Sequence, residues 1–75
     1  MYLAWFDASK KLSIEDKIVN AWARYEQKFI LTPTEVLLNP VDANKVTEPL
    51  SLTLRPMDNI APNTFWIGTP EEDNT

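Results

Sequence analysis

Four polar residues of this chain could form a small anion-binding site. Asp7 is followed by Lys10 and Lys11, and Asn39 lies further along the chain. An acid, an amide and two lysines, beside the exposed N–H groups of a helix that starts after Ser13, could hold an anion or a phosphodiester. Ordinary turn chemistry is the favoured explanation. Asp7 would then hydrogen bond within its own loop, and Asn39 would cap a short helix.

Metal-assisted hydrolysis would need paired carboxylates, and the candidates are Asp7, Glu35, Asp42 and Glu48. One nuclease motif places lysine two positions after an acidic residue on a strand. Here Leu37 stands two positions after Glu35, so that motif is not formed. We therefore expect no metal site.

The residue types missing from the chain exclude several kinds of chemistry. It contains no histidine and no cysteine, and Gly68 is its only glycine. Imidazole and thiolate metal sites, thiol nucleophiles and histidine acid–base catalysis are therefore excluded. Phosphate-binding loops need several glycines. We expect no cofactor, and a protein that is not an enzyme is favoured.

The charge balance argues against direct binding to nucleic acid. Among 75 residues, 11 are acidic and seven are basic, which gives a formal charge of −4, and the basic residues are scattered. A DNA-binding domain usually has a basic patch, although an acidic protein can still bind the basic groove of a nucleic-acid enzyme. No apolar run approaches the roughly 20 residues that span a bilayer. We expect a cytoplasmic protein without a membrane partner.

An amphipathic helix is the element that the sequence predicts most clearly. Ser13 is a good N-cap, and Pro33 prevents the helix from continuing beyond Phe29. The apolar residues form one stripe: Ile14, Ile18, Ala21, Trp22, Tyr25 and Phe29. The residues expected on the opposite, solvent side are Asp16, Lys17, Asn20, Arg24, Gln27 and Lys28.

Four further segments have strand patterns, and a short helix is predicted after Asn39. The predicted strands cover residues 2–6, 36–38, 50–55 and 64–68. The order predicts an α/β domain of the α+β type, a two-layer sandwich in which the long helix packs on one face of a mixed four-stranded sheet. We expect the first two strands to be parallel and the last two to form an antiparallel pair. Residues 1–68 would form the domain, and residues 69–75 a mobile acidic tail.

The last strand is unusual because Phe65, Trp66 and Ile67 are consecutive. A strand with one buried face needs alternating apolar residues. If Phe65 and Ile67 point towards the helix, Trp66 points the other way, beside Leu37.

The first strand can face either way. The helix-facing set is either Leu3 and Trp5, or Tyr2, Ala4 and Phe6. We predict an interaction surface on the face away from the helix, formed by Tyr2, Phe6, Leu37 and Trp66. The alternative is that residues 56–63, together with Pro49, fold over this face and make Trp66 part of the core.

These patterns lead to two functional hypotheses. The first is a non-catalytic protein-interaction module, such as an accessory subunit, adaptor or inhibitor, that binds a protein partner or a second copy of itself through the aromatic face. The second is a small anion- or nucleotide-binding domain or enzyme, with Asp7, Lys10, Lys11 and Asn39 at the carboxyl ends of the parallel strands. Binding of single-stranded RNA by the aromatic residues is less favoured, since such modules combine aromatics with basic residues and glycine.

Overall fold

The part of the chain that the structure describes folds into four strands and two helices. A computed structural model describes residues 1–47 and 50–70. The strands are β1 (Tyr2–Phe6), β2 (Glu35–Leu38), β3 (Thr53–Pro56) and β4 (Thr64–Gly68), and the helices are α1 (Ile14–Phe29) and α2 (Pro40–Ala43). The predicted element order and the α+β fold with a mixed four-stranded sheet are confirmed.

The order of the strands in the sheet is β1–β4–β2–β3. β4 is antiparallel to both of its neighbours, whereas β2 and β3 are parallel. β1 and β2 therefore run in the same direction, as predicted, but β4 separates them. The predicted pairing of the last two strands is wrong, because β3 pairs with β2. Pro56 in β3 lacks an N–H group, and such a strand is tolerated at the edge of a sheet, while the more apolar β4 takes a central position.

Helix α1 begins and ends with local hydrogen bonds. The Ser13 hydroxyl accepts a bond of 3.2 Å from the Asp16 N–H, which caps the first turn. At the other end Ile30 adopts a left-handed conformation with φ of 56°, and its N–H donates to the Glu26 carbonyl. An isoleucine is costly in that conformation, which glycine usually occupies. The predicted helix bounds are confirmed.

The core lies between α1 and one face of the sheet. Its fully buried side chains come from the helix and the two central strands: Ile18, Ala21, Tyr25, Val36, Leu38, Phe65 and Ile67. Leu3 and Trp5 pack against this core, which decides between the two orientations considered for β1. The Tyr25 hydroxyl also donates to the Met1 carbonyl at 3.2 Å and so connects the helix to the residue before β1.

Two details of the prediction need correction. The predicted strand at 50–55 begins further along the chain, at Thr53, and is β3. Leu52 is nevertheless buried, and Leu50 packs against the core. Lys17 was expected on the solvent side of the helix, yet it is buried, because its stem lies in a cleft and its ammonium donates to the Asn63 side chain at 3.5 Å.

The predicted tail lies mostly outside the described residues. At its start, the backbone N–H of Thr69 donates to the Met1 carbonyl, and the Met1 nitrogen donates to the Thr69 carbonyl. Residues 71–75 are not among those that the structure describes.

Candidate functional site

The face of the sheet opposite α1 has no helix over it in the part of the chain that the structure describes, and we call it the open face. The strand register arranges its residues in two rows across all four strands. The first row is Tyr2, Gly68, Glu35 and Thr53, and the second is Ala4, Trp66, Leu37 and Arg55. Phe6 and Thr64 lie next to the second row on β1 and β4. The four residues predicted to form an interaction surface therefore share this face.

A carboxylate with two partners occupies the first row. The Tyr2 hydroxyl donates to Glu35 Oε2 at 2.6 Å, and Arg55 Nη1 donates to Glu35 Oε1 at 3.3 Å. Glu35 is 6% exposed, so its charge needs these partners. The hydrogen bond to Glu35 raises the pKa of Tyr2 from 10.0 to about 12, with smaller contributions from burial and from the Glu35 charge. Tyr2 is consequently a neutral donor at neutral pH.

The absence of a side chain at Gly68 makes room for this network. Gly68 lies between Tyr2 on β1 and Glu35 on β2 in the register. A Cβ atom at this position would clash with the Met1 carbonyl oxygen and lie 2.9 Å from the Tyr2 Cα. Glycine is thus required for close approach of β1 to β4, and the Tyr2 phenol can cross β4 to reach Glu35.

The second row and its neighbours form an exposed apolar patch. Trp66 is 42% exposed and Phe6 is 67% exposed. Leu37, on the neighbouring strand β2, is partly buried. A shallow cleft of about 250 Å³ beside Trp66 is lined by Leu37, Met57, Asn59 and Ile60. The loop after β3 thus borders the open face but does not make Trp66 part of the core. Pro49, which was expected to contribute to such a cover, lies outside the described residues.

Two of the four residues predicted to form a polar site, Asp7 and Asn39, make turn and cap hydrogen bonds. The Asp7 carboxylate accepts a hydrogen bond from the Ser9 N–H within its own loop. Asn39 caps α2 by accepting from the Val41 N–H, and it donates to the Ile60 carbonyl. These are the turn and cap roles that ordinary local chemistry favours.

A cleft of about 450 Å³ does lie beyond the end of β1, and Lys10 is the predicted site residue that lines it. Its other charged lining residues are Lys17, Asp42 and Lys45. Asp42 is almost completely buried and accepts a hydrogen bond of 2.7 Å from the Asn63 N–H. Asn63 has a left-handed backbone with φ of 66°, so this bond holds the turn before β4. Three of the cleft residues, Lys17, Asp42 and Asn63, are thereby used in holding the loops together.

The contacts among Tyr2, Glu35 and Arg55 and the burial of Asp42 were not predicted from the sequence. The first group depends on the strand order, which the sequence did not predict correctly. For Asp42 no local pattern signals burial, because its main partner is 21 residues away. Among the described residues, no group of three or more acidic side chains could hold a metal ion, and no helix there is long and apolar enough to cross a bilayer.

Fold and site together define a small α+β domain with one helical layer and a partly aromatic sheet face that none of the described helices covers. Neither the family models, the curated proteins nor the solved structures with which we compared the chain gave a match. The function is therefore argued from the site itself.

Proposed function

We propose that this protein is a non-catalytic interaction module that pairs with a second copy of itself through the open face. The observation that carries this proposal is the exposure of Trp66 near the middle of a sheet face, with Phe6 and Met57 exposed beside it. Tryptophan is among the residues that contribute most to protein interfaces. Sheet faces stack well on one another at a spacing of about 10 Å.

The charge distribution favours a second copy as the occupant. The whole chain carries a formal charge of −4, so two copies repel at most orientations. On the open face, however, the Glu35 carboxylate is paired with Arg55, and the rest of the two rows is uncharged. Two open faces can therefore approach with little electrostatic cost. A domain of this size also has a small stability margin, which self-association increases by mass action.

Within this proposal the protein acts in the cytoplasm as an accessory subunit, adaptor or inhibitor of another protein. The lack of cysteine is compatible with a reducing compartment. The dimer formed by the open faces would leave the sheet edges of both copies available for that further partner.

Sedimentation equilibrium of the purified protein and its Trp66→Glu variant tests the proposal. We expect a dimeric parent and a folded, monomeric variant, because a carboxylate at the centre of the interface would be buried without a partner. Val19→Glu is the matched control: Val19 is 49% exposed on α1, away from the open face, and the substitution adds the same charge. The control should remain dimeric.

A parent that stays monomeric at all concentrations would show that no second copy occupies the open face. Retention of the dimer in Trp66→Glu would equally contradict the proposal. If Trp66→Glu fails to fold, the Phe6→Ser variant is used instead. Phe6 lies beside Trp66 and is more exposed, and the same loss of the dimer is expected. Circular dichroism establishes folding in each case.

A further inference from the structure

The two edges of the sheet differ in how well they are protected against pairing with another strand. β3 forms one edge, and it contains the charged Arg55 and the proline Pro56, which has no N–H to donate. β1 forms the other edge with the sequence YLAWF, which contains neither charge nor proline. Natural proteins commonly use charges, prolines and bulges to prevent edge pairing. The β1 edge has none of these features.

The register shows which backbone groups are free at the β1 edge. Met1 and Thr69 exchange two hydrogen bonds, and the Asp7 N–H donates to the Asn63 carbonyl. Odd-numbered residues of β1 therefore bond to β4, because hydrogen-bonded positions alternate along an antiparallel pair. The N–H and C=O groups of Tyr2, Ala4 and Phe6 point away from the sheet. They form three donor–acceptor sets at the spacing that an added strand requires.

Beside this edge, a groove runs between β1 and α1. It has a volume of about 360 Å³, and its lining residues are Leu3, Ala4, Trp5, Arg24, Gln27 and Lys28. Its floor is apolar and its helical rim carries two positive charges and no negative one. The Arg24 guanidinium lies 5.6 Å from the centre of the Trp5 ring.

Trp5 provides an independent sign of a missing partner. Its indole Nε1–H is buried and has no hydrogen-bond acceptor among the described residues. Buried donors are nearly always paired, and an unpaired one is costly. A carboxylate brought in by an added strand would supply the acceptor once the exposed Arg24 or Gln27 side chain moves aside.

We propose that the β1 edge binds an extended, acidic segment of a partner protein, which adds a fifth strand to the sheet. Backbone hydrogen bonds to Tyr2, Ala4 and Phe6 would hold the segment. Alternate side chains would enter the groove, where acidic ones meet Arg24, Lys28 and the Trp5 indole. A second copy of this chain fits the edge less well, because two-fold pairing of β1 with β1 brings the basic rims of both copies together.

The test uses a synthetic peptide of alternating glutamate and valine, titrated into the isotope-labelled protein and followed by NMR. We expect shifts at the amides of Tyr2, Ala4 and Phe6 and slowed hydrogen exchange at these three positions. A peptide with lysine in place of glutamate should not bind. The same titration is repeated on the Trp66→Glu variant, which we expect to be monomeric. Peptide binding by this variant would show that the β1 edge acts independently of dimerisation through the open face.

Reversing the two positive charges on the groove rim tests the role of these charges directly. Arg24→Glu with Lys28→Glu should weaken peptide binding about tenfold or more, since the attraction becomes repulsion. The matched control is Lys10→Glu with Lys11→Glu, which changes the net charge equally in the loop before α1 and should change affinity by less than about twofold. All four positions are exposed, so folding should be retained.

Three results would overturn the proposal. The first is the absence of binding at millimolar peptide. The second is binding that is not specific to the edge: either the three β1 amides do not shift, or the two charge-reversed variants weaken the binding equally. The third is slowed hydrogen exchange at these amides in the absence of peptide, if that slowing is lost when the protein is diluted. This result would assign the edge to a second copy of the chain.

Discussion

Tyr2→Phe removes one hydroxyl from the buried carboxylate network and tests the geometry of the open face. The bond from Tyr2 to Glu35 is 2.6 Å long and joins a neutral donor to a carboxylate that is 6% exposed. Hydrogen bonds to charged groups contribute about 1.5–3 kcal/mol, and partial exposure of Tyr2 lowers this to about 1–2 kcal/mol. For a domain of this size such a loss lowers the Tm by roughly 5–15 °C.

The same contact makes the effect of the substitution dependent on pH. The pKa of Tyr2 is about 12 in the folded protein, against 10.0 for an ordinary tyrosine. The folded state therefore holds the phenol proton more tightly than the unfolded state. The stabilisation is complete below pH 10 and disappears as the pH rises through about 12. The difference in stability between parent and Tyr2→Phe should thus be constant at neutral pH and shrink at alkaline pH.

Urea denaturation of both proteins at neutral pH and at several alkaline values measures this difference directly. Subtracting the variant from the parent removes the contribution of lysine titration, which both share. A pH titration followed by tyrosinate absorbance gives the pKa of Tyr2. It is the pKa of the transition that the parent shows and the Tyr2→Phe variant lacks. Equal stability of the two proteins at neutral pH, or a Tyr2 pKa near 10, would refute the reasoning.

Two further substitutions test the backbone at single positions. Gly68→Ala places a Cβ atom in a clash with the Met1 carbonyl oxygen. Separating β1 from β4 to relieve this clash should cost about 2–3 kcal/mol, and a urea midpoint equal to that of the parent would contradict the close approach of these strands. Ile30→Gly should instead stabilise the protein by about 1 kcal/mol, because Ile30 has a φ of 56° and is 88% exposed, so little packing is lost. A lower melting temperature for Ile30→Gly would contradict the left-handed helix end.

The elements were predictable because their signals are local. The Ser13 cap, the apolar stripe and Pro33 all lie within or beside α1, and they determine its bounds without reference to the rest of the chain. The same holds for Asn39 and α2, where the cap and the following proline are adjacent. The alternating direction of side chains along β4 likewise separated Trp66 from Phe65 and Ile67, which are fully buried.

The strand order was not predictable in the same way, because it depends on contacts between distant parts of the chain. Connection length suggested that β3 and β4 would be neighbours, but Pro56 and Arg55 suit β3 to an edge. The Tyr2–Glu35–Arg55 network follows from that order, since Glu35 meets Tyr2 only across Gly68. The aromatic residues of the open face could be identified earlier, because their direction depends on alternation within each strand rather than on strand order.

The position of β4 also has a consequence for how the chain is assembled. Residues 64–68 come after every other strand, yet they lie between β1 and β2. Until they are synthesised, β1 has no neighbour to bond with, and the sheet exists at most as the parallel β2–β3 unit. Pairing of Tyr2 with Gly68 then closes a long loop between distant residues, which is a slow step for so small a domain. A nascent chain would therefore carry β1 without its β4 partner until residues 64–68 have been synthesised.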